Sequence, residues 1–253
     1  NSVPESWKST GILIVNHQEE TMAQKKVNAV IHSQEKLAEG IYSMWLDAPE
    51  MAKAAVPGQF IAVYTNDQSK LLPRPISICE ADKENGRLRI VYRIAGAGTK
   101  EFSAYKEGDT LDIMGLLGNG FPLKKKKAFL IGGGIGIPPM LELAKNLDCE
   151  KTAVIGYRDK ETFLADELRK YADVVIATED GSVGTKGNVI DAIRAEKLTA
   201  DIIYACGPTP MLKALKTYAM ENGIECYISL EEKMACGIGA CLGCVCHSKD
   251  IDE

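Results

Sequence analysis

The hydrophobic pattern of the chain changes near residues 124–127, a run of four lysines. Before this run, short β-rich segments are separated by turn residues such as Pro57-Gly58 and Asn85-Gly86. These segments are residues 27–32, 41–46, 59–65, 76–79, 87–94 and 110–113. Six strands at this spacing predict a small antiparallel barrel.

After the lysine run, short apolar strands alternate with helical segments. The predicted strands are residues 128–131, 152–157, 173–177, 201–205 and 226–229, and the predicted helices are residues 138–147, 162–170, 188–196 and 211–222. This alternation indicates βαβ units and a doubly wound parallel sheet. The expected fold class is therefore β plus α/β, with a barrel at residues 22–123 and an α/β domain at residues 124–225. A small segment at residues 226–253 follows.

Charge and composition limit the kinds of partner. The chain has 253 residues, of which 45% are hydrophobic and 26% charged, as in ordinary soluble globular proteins. The net charge of −5 argues against nucleic acid as a ligand. The longest apolar run near the N-terminus, residues 11–15, is too short for a signal peptide or a membrane span. We expect a cytoplasmic protein that binds neither nucleic acid nor membranes.

The part of this segment from Glu231 on is rich in glycine and cysteine and has few apolar residues for a core, so a metal centre is expected to hold it together. Its four cysteines are Cys236, Cys241, Cys244 and Cys246. The first three have the C-x4-C-x2-C spacing of plant-type [2Fe-2S] clusters. Gly237, Gly239 and Gly243 permit the turns of a loop that wraps a cluster. A zinc site usually has paired C-x2-C knuckles, and this segment has one such pair, so the iron–sulfur interpretation is favoured.

A glycine-rich segment, Gly132-Gly-Gly-Ile-Gly136-Ile-Pro138-Pro139, lies between a predicted strand and a predicted helix. Glycines such as Gly132, Gly134 and Gly136 let a phosphate approach the backbone, and a helix N-terminus supplies N–H groups and a positive dipole. The segment departs from the G-x-G-x-x-G fingerprint, and no acidic residue follows at the usual distance. By itself it is equally consistent with a nucleotide site and with a turn.

Arg74-Pro75-Ile76-Ser77 stands at the entry to a predicted barrel strand. The planar arginine side chain suits a pyrophosphate, and the serine hydroxyl can donate to a ring nitrogen. Val91-Tyr92-Arg93 ends a later strand, and Gly96-Ala97-Gly98-Thr99 opens a predicted helix, which is a second N-terminus suited to an anion. The features lie beside one barrel and support each other.

Taken in order, these motifs resemble the ferredoxin-NADP reductase superfamily, with an R-P-x-S barrel, a glycine-rich helix start and Cys206-Gly207-Pro208-Thr209-Pro210-Met211 near the end of the nucleotide domain. Within it, the chain resembles the electron-transfer subunits of two-subunit, NAD-dependent dihydroorotate dehydrogenases. Two further segments carry this resemblance, Gly115-Leu-Leu-Gly-Asn-Gly-Phe121 and Ser229-Leu-Glu-Glu-Lys-Met-Ala-Cys236 with the cysteines that follow it. The similarity extends over residues 22–246.

The resemblance implies three cofactors and no catalytic side chain. FAD would be bound by the barrel through Arg74, Pro75, Ile76, Ser77, Val91, Tyr92, Arg93, Gly98 and Thr99. NAD would be bound by the α/β domain, with Gly132, Gly134, Gly136, Cys206, Gly207 and Pro208 as cofactor-binding residues. A [2Fe-2S] cluster would be bound by Cys236, Cys241 and Cys244, with Cys246 as a candidate fourth ligand.

The resemblance also implies a partner, an FMN-containing dihydroorotate dehydrogenase catalytic subunit in a heterotetramer that serves pyrimidine biosynthesis. Electrons would pass from the partner's FMN through the cluster and FAD to NAD+. NAD(H) is expected over NADP(H), because Glu179 and Asp180 follow a predicted strand end and carboxylates repel a 2′-phosphate. Two alternatives stay open. One is the small subunit of a NADH-dependent ferredoxin-NADP reductase or sulfide dehydrogenase, and the other is a non-enzymatic, zinc-stapled interaction module.

Both ends of the chain carry expectations of their own. Residues 1–21 are expected to be a non-native extension, because residues 18–21 back-translate to a purine-rich stretch like a ribosome-binding site before Met22. In the resembling family the fourth cysteine lies beyond the position of Glu253, so the segment is expected to be cut short. Cys244 and Cys246 are one residue apart, which makes it hard for both to reach one iron. The chain as written is therefore expected to hold its cluster poorly.

Overall fold

The computed structural model describes residues 25–67 and 69–230, together with Met234 and Cys241. The described residues as far as Gly120 form one compact unit, and those from Phe121 to residue 230 form a second. The expected boundary between residues 123 and 124 thus moves to Gly120 and Phe121. The reason is that the ring of Phe121 packs edge-on against Tyr204 of the second unit, with 5.5 Å between ring centroids.

The first unit is a closed antiparallel barrel, as predicted. Its strands are β1 (Lys25–Ala38), β2 (Ile41–Asp47), β3 (Phe60–Val63), β4 (Arg74–Asp82), β5 (Arg87–Arg93) and β6 (Thr110–Leu117). They follow the order β1-β2-β5-β4-β3-β6, and β6 pairs with β1 to close the barrel. Closure leaves no unpaired strand edge among the described strands of this unit.

Alternation along β4 separates its core side chains from its outer ones. Ile76 and Ile78 are buried in the barrel core, whereas Pro75 is exposed and Ser77 half-buried on the other face. Arg74, the first residue of the strand, is half-buried. Two short helices, α1 (Pro49–Ala54) and α2 (Ala97–Phe102), accompany the barrel. Fully buried Phe102 anchors the end of α2 by packing edge-on against Tyr92 of β5, with 5.9 Å between ring centroids. The end of α2 is thereby held against β5.

The second unit is a parallel sheet with helices between its strands. Its strands are β7 (Ala128–Gly133), β8 (Lys151–Tyr157), β9 (Asp173–Thr178), β10 (Thr185–Lys186), β11 (Ile202–Cys206) and β12 (Glu225–Ser229), and its helices are α3 (Pro138–Asn146), α4 (Ala165–Leu168), α5 (Val189–Ala195) and α6 (Thr209–Asn222). The strand order is β10-β9-β8-β7-β11-β12. Helices α5 and α6 pack over Phe129 and Ile131 of β7, while α3 contacts α4. The predicted doubly wound sheet is confirmed.

Local sequence accounts for two helix boundaries. Asn188 caps α5, because its Oδ1 atom accepts from the backbone N–H groups of Ile190 at 2.8 Å and Asp191 at 3.2 Å. Helix α4 is shorter than the predicted residues 162–170, because Leu164 has a left-handed backbone with φ of 65°. Among the described residues, no helix is long and apolar enough to cross a membrane.

Strand β12 belongs to the sheet, so the expected boundary after residue 225 moves to the end of this strand. It pairs with β11 in parallel, and Tyr227 stacks on Tyr204 with 5.6 Å between ring centroids. Glu225 binds Lys126 at 2.9 Å and also binds Lys124, so the first residue of β12 is tied to the lysine run. The run therefore contributes to the stability of this unit.

Candidate cofactor sites

The strand order of the sheet reverses at β7. This strand comes first in the unit, and its two neighbours, β8 and β11, lie on opposite sides of it. In open α/β sheets such a reversal leaves a crevice outside the carboxyl ends of the strands, where nucleotides bind. The glycine-rich segment follows β7, and Cys206-Gly207-Pro208 follows β11. The structure therefore brings these two predicted motifs to one crevice.

The two loops touch through their backbones. A Cβ atom on Gly136 would lie 2.3 Å from the carbonyl oxygen of Cys206 and 2.6 Å from the backbone nitrogen of Gly207. Gly207 has φ of +151°, and a Cβ there would lie 3.0 Å from the backbone nitrogen of Gly133. The contacts at Gly136 are closer than real Cβ atoms allow, so this position requires glycine. The contact at Gly207 is tighter than most real Cβ contacts and comes with a backbone that L side chains rarely adopt, so glycine is strongly favoured there.

Gly134 meets a different requirement. Its φ of +53° is left-handed, and a Cβ atom there would meet nothing within 4 Å. Gly134 therefore offers bare backbone beside open space, which is the arrangement that lets a phosphate come close. This loop fits a dinucleotide phosphate.

The start of α3 differs from the predicted anion site. A short 3-10 turn, Gly134–Gly136, separates β7 from the helix, which begins at Pro138. Pro138 and Pro139 have no backbone N–H, and the N–H of Met140 donates to the carbonyl of Ile137 at 3.0 Å. The first turn of α3 thus offers its dipole but no N–H donor, and any phosphate contact must come from the glycine loop.

In the barrel, the side chain of Arg74 lies against Gly98 in the first turn of α2. A Cβ atom on Gly98 would lie 2.1 Å from Nε and 2.3 Å from Cζ of Arg74. The guanidinium also donates through Nη1 to the carbonyl of Leu72. Two predicted site residues, Arg74 and Gly98, are thereby brought into contact. The planar guanidinium of Arg74 has the geometry to bind a pyrophosphate. These residues fit the flavin nucleotide that the motifs imply.

The other predicted barrel residues differ in exposure. Pro75 is exposed, Ser77 is half-buried and pairs with Phe60 of β3, and Ile76 packs in the core. Thr99 caps its own helix, because its hydroxyl oxygen accepts from the N–H of Ala95 at 2.8 Å and of Gly96 at 3.2 Å. Ser77 therefore has a side chain available to a ligand, while the hydroxyl of Thr99 maintains the turn.

Val91, Tyr92 and Arg93, the last three residues of β5, differ in the exposure of their side chains. Arg93 is exposed at the end of β5, but Tyr92 is only 2% exposed. The Tyr92 hydroxyl donates to Oε1 of Gln34 at 2.7 Å, and burial raises the pKa of this phenol far above its ordinary value. Val91 is buried as well. Tyr92 thus supports the barrel from within, and Arg93 alone of the three presents an exposed side chain.

The cysteine segment is represented by one described ligand candidate. Cys241 is exposed, and Cys236, Cys244 and Cys246 lie outside the described residues. In the described part of the chain, no group of three His, Cys, Asp or Glu side chains is arranged to hold a metal. The iron–sulfur assignment therefore depends on the sequence of this segment.

Comparison with known proteins assigns the chain to a family. Residues 28–121 match the model of an oxidoreductase FAD-binding domain, and residues 231–253 match the iron-sulfur cluster binding domain of dihydroorotate dehydrogenase B. The dihydroorotate dehydrogenase B (NAD(+)) electron transfer subunit of Bacillus velezensis is 41% identical over 90% of this chain and 92% of that protein. The subunit of the same name from Streptococcus mutans is 45% identical over 90% of this chain and 91% of that protein. The chain belongs to this family.

Membership in the dihydroorotate dehydrogenase B electron transfer family confirms the resemblance drawn from the motifs. The two matching domain models confirm the expected FAD and iron–sulfur cofactors. The name "electron transfer subunit" implies a separate catalytic subunit. The zinc-stapled module gains no support from this family.

A solved structure confirms the fold class for this family member. The NADH-dependent reduced ferredoxin-NADP oxidoreductase, described in connection with electron bifurcation, superposes with a TM-score of 0.79 at 32% identity. The match covers 88% of this chain and 83% of that one. Both predicted units of the chain therefore occur together in a flavin oxidoreductase.

Glu179 and Asp180, the predicted determinants of NAD preference, are exposed directly after β9. The Asp180 carboxylate accepts from the N–H of Ser182 at 2.9 Å. Hydrogen bonds from the backbone and side chain of Ser182 lower the pKa of Asp180, so this carboxylate is ionised at neutral pH. The end of β9 therefore presents two exposed carboxyl side chains.

Proposed function

We propose that this chain passes electrons from the FMN of a dihydroorotate-oxidising partner through a [2Fe-2S] cluster and FAD to NAD+. The observation that carries the proposal is that one chain holds two separate cofactor cradles. One is the Arg74 side chain against Gly98 in the barrel, and the other is the backbone contact of Gly136 with Cys206 in the sheet. The family relationship supports the same route.

The barrel residues of this chain bind and orient the flavin. The guanidinium of Arg74 offers a charged, bidentate donor to the pyrophosphate, and the half-buried hydroxyl of Ser77 can donate to a ring atom. When bound, FAD exchanges single electrons with the cluster and an electron pair with NAD, which is the conversion this route needs. The protein's own contribution is the distance, the orientation and the local charge.

The sheet residues bind the nicotinamide nucleotide. Gly134 and its neighbours give a dinucleotide phosphate access to bare backbone, and Gly207 and Pro208 bound the other side of the crevice. Glu179 and Asp180 disfavour a 2′-phosphate at the ribose. We accordingly assign NAD(H) to the crevice between β7 and β11, with Gly132, Gly134, Gly136, Cys206, Gly207 and Pro208 at its edges.

The partner is proposed to be an FMN-containing catalytic subunit, and the complete enzyme a heterotetramer that serves pyrimidine biosynthesis. The names of the relatives support a partner subunit, because an electron transfer subunit needs a source of electrons. The cytoplasmic location and the ligand set Cys236, Cys241, Cys244 and Cys246 stay predictions.

A second candidate function has an observation of its own. The structural neighbour with a TM-score of 0.79 is a NADH-dependent reduced ferredoxin-NADP oxidoreductase. A chain of this architecture could serve a ferredoxin-linked enzyme with a different partner. The identity of the partner therefore separates the two candidates.

Purification of the tagged chain from its native host provides the test. The expected complex contains FMN and FAD in equal amounts and reduces NAD+ with dihydroorotate as the electron donor. The chain alone is expected to oxidise NADH with an artificial acceptor and to leave dihydroorotate unchanged. A complex that lacks FMN and couples NADH to ferredoxin would overturn the dihydroorotate assignment in favour of the second candidate.

A further inference from the structure

Glu101 of α2 connects the helix to the loop that leads into Arg74. The described residues of this loop, 64–67 and 69–73, are called the β3–β4 loop. The Oε1 atom of Glu101 accepts from the backbone N–H of Asn66 at 2.8 Å and of Asp67 at 3.2 Å. Its Oε2 atom binds the ammonium of Lys70 at 2.5 Å. One carboxylate thus fixes the beginning and the middle of the loop.

The attachment is partly shielded from water. The side chain of Glu101 is 16% exposed and that of Lys70 is 22% exposed, so the ion pair is screened less than an open surface pair. The hydroxyl of Tyr105 also donates to Oε1 of Glu101 at 2.5 Å. Burial raises the pKa of Glu101, but the hydrogen bonds from Lys70 and Tyr105 outweigh it and hold the pKa below its ordinary value. The carboxylate is therefore ionised at neutral pH.

The β3–β4 loop is also braced within itself. The Thr65 hydroxyl lies 3.3 Å from the carbonyl oxygens of both Asp67 and Lys70, and the carboxylate of Asp67 binds Lys70 at 3.0 Å. The Asn66 side chain donates to the carbonyl of Thr110 in β6 at 3.1 Å. These bonds tie Thr65, Asp67 and Lys70 together, and Lys70 precedes Arg74 by four residues.

Arg74 depends on both elements that Glu101 joins. On one side, its Nη1 atom donates to the carbonyl of Leu72, which belongs to the β3–β4 loop. On the other, its guanidinium lies against Gly98. Gly98 and Glu101 are three residues apart in α2, and residues at this spacing lie on the same face of a helix. A ring of contacts therefore runs from Glu101 through the loop to Arg74 and back through Gly98 to Glu101.

We propose that Glu101 is a positioning residue for the flavin site, which holds the β3–β4 loop against α2 and so keeps the Arg74 guanidinium over Gly98. The inference rests on the proposed function, because it takes Arg74 as the pyrophosphate-binding residue. Glu101 itself touches no ligand in this scheme. Its effect on FAD passes through Arg74.

Three variants of the full chain test how FAD affinity depends on the contacts of Glu101. Glu101→Ala removes every contact of the carboxylate. Glu101→Gln keeps an oxygen for the N–H groups of the loop but turns an amide donor towards Lys70, and Lys70→Met removes the same ion pair from the other side. We expect the FAD dissociation constant to rise about tenfold in Glu101→Ala and about threefold in the other two, since a net hydrogen bond is worth roughly a factor of a few to ten.

A matched control removes a carboxylate of the same barrel at a distance from the loop. Asp47 of β2 binds Arg87 of β5 at 3.1 Å, and Asp47→Asn removes this pair as Glu101→Gln removes the other. FAD affinity should stay at the level of the unmodified chain in Asp47→Asn. An equal rise in all variants would mean that general weakening of the barrel, and not the position of Arg74, lowers flavin affinity, which would overturn the inference.

A double-mutant cycle with Arg74→Ala separates the inference from the proposed function. If Glu101 acts through Arg74, then Glu101→Ala added to Arg74→Ala raises the FAD dissociation constant by no more than about twofold, because the two effects are coupled. Additive effects, or no effect of Glu101→Ala alone, would overturn the positioning role and leave the proposed flavin site intact. Normal FAD affinity in Arg74→Ala alone would instead refute the proposed flavin site. If Glu101→Ala does not fold, Lys70→Met takes its place in the cycle.

Discussion

Gly136 and Cys206 are in backbone contact across the neighbouring strands β7 and β11, close enough that a Cβ atom on Gly136 would lie 2.4 Å from the carbonyl carbon of Cys206. A backbone carbonyl cannot rotate away as a flexible side chain can. The two loops that border the crevice are therefore held at a separation that only a glycine permits.

Gly136→Ala is accordingly expected to force these loops apart. We expect a loss of stability of about 2 kcal/mol, in the range of overpacked sites, together with a raised KM for NADH. Gly134→Ala is the comparison, because its methyl group meets nothing within 4 Å and its cost, about 1 kcal/mol, comes from the left-handed backbone. Thermal unfolding and NADH titration measure both. A larger loss of stability in Gly134→Ala than in Gly136→Ala would contradict the importance of the contact.

Gly98→Ala should lower flavin affinity without unfolding the barrel. The new methyl group meets the end of the Arg74 side chain at 2.1 Å, and this flexible group can move aside at low cost to the fold. The guanidinium then leaves its place, and the FAD dissociation constant should rise about tenfold, as expected for loss of a charged hydrogen bond. Gly96→Ala is the matched control, since its methyl group meets nothing within 4 Å. Flavin fluorescence titration and thermal unfolding of both variants decide the matter.

The chain should prefer NADH to NADPH. Glu179 and Asp180 present two carboxylates after β9, and these repel a 2′-phosphate. In the variant Glu179→Gln/Asp180→Asn both carboxylates become amides. The ratio of the rate with NADH to the rate with NADPH should fall about tenfold, which corresponds to roughly 1.4 kcal/mol. Steady-state rates with an artificial electron acceptor measure the ratio. A preference for NADPH in the unmodified chain would refute the assignment.

Acid should release the lysine run from the edge of the sheet. Burial raises the pKa of Glu225, but the hydrogen bonds from Lys124, Lys126 and Tyr227 outweigh this effect and lower the pKa to about 2. Since the folded pKa lies below the unfolded value, this stabilisation is present above pH 4.5 and is lost as the pH falls towards 2. Solvent screening limits it to about 1–2 kcal/mol. The measurement is thermal unfolding between pH 6 and about pH 3, a range that includes the ordinary carboxyl pKa. Over this range Glu225→Gln should lose less stability than the unmodified chain.

The control for Glu225 is Glu150→Gln, which removes the exposed partner of Lys127. This variant should follow the acid profile of the unmodified chain. If Glu225→Gln follows that profile too, Glu225 does not stabilise the sheet in the manner proposed.

Iron should depend on the cysteine segment and not on the cysteines of the sheet. Cys241→Ser is expected to remove most iron and acid-labile sulfide, because Cys241 lies at the centre of the C-x4-C-x2-C pattern. Cys246→Ser should have a smaller effect, since Cys246 is one residue from Cys244 and the two thiolates can hardly reach one iron together. Cys149→Ser is the control and should hold as much iron as the unmodified chain. Full iron in Cys241→Ser would exclude this residue as a ligand.

Most of the fold could be predicted from local hydrophobic patterns in the sequence, whereas much of the flavin site could not. Alternation within single strands predicted the barrel, because each half-buried strand has a period of two residues. Helix α1 was missed because its six residues, Pro49–Ala54, are too few to show a helical period, although a proline at its start is typical of a helix beginning. Strand β10 has only two residues and was missed for the same reason.

Residues whose roles depend on distant partners could not be predicted. The buried hydroxyl of Tyr92 is one example, because its partner Gln34 lies on another strand. The place of Tyr92 at the flavin stays a prediction. Glu101 resembled any other acidic residue of an exposed helix, because its contacts come from a loop 31 to 35 residues earlier in the chain. The contact of Gly136 with Cys206 likewise needs the pairing of β7 with β11, which no local pattern reveals.

The strand order of the sheet has a consequence for a chain that is still being synthesised. All six strands of the barrel precede Gly120, so the barrel, with Arg74 and Gly98, can close while the rest of the chain is on the ribosome. The crevice beside β7 cannot form then, because its other wall follows β11, and this strand emerges after β8, β9 and β10. The glycine-rich loop thus leaves the ribosome well before Cys206, the residue it contacts in the folded chain. A nascent chain acquires a place for the flavin nucleotide first and a place for the nicotinamide nucleotide last.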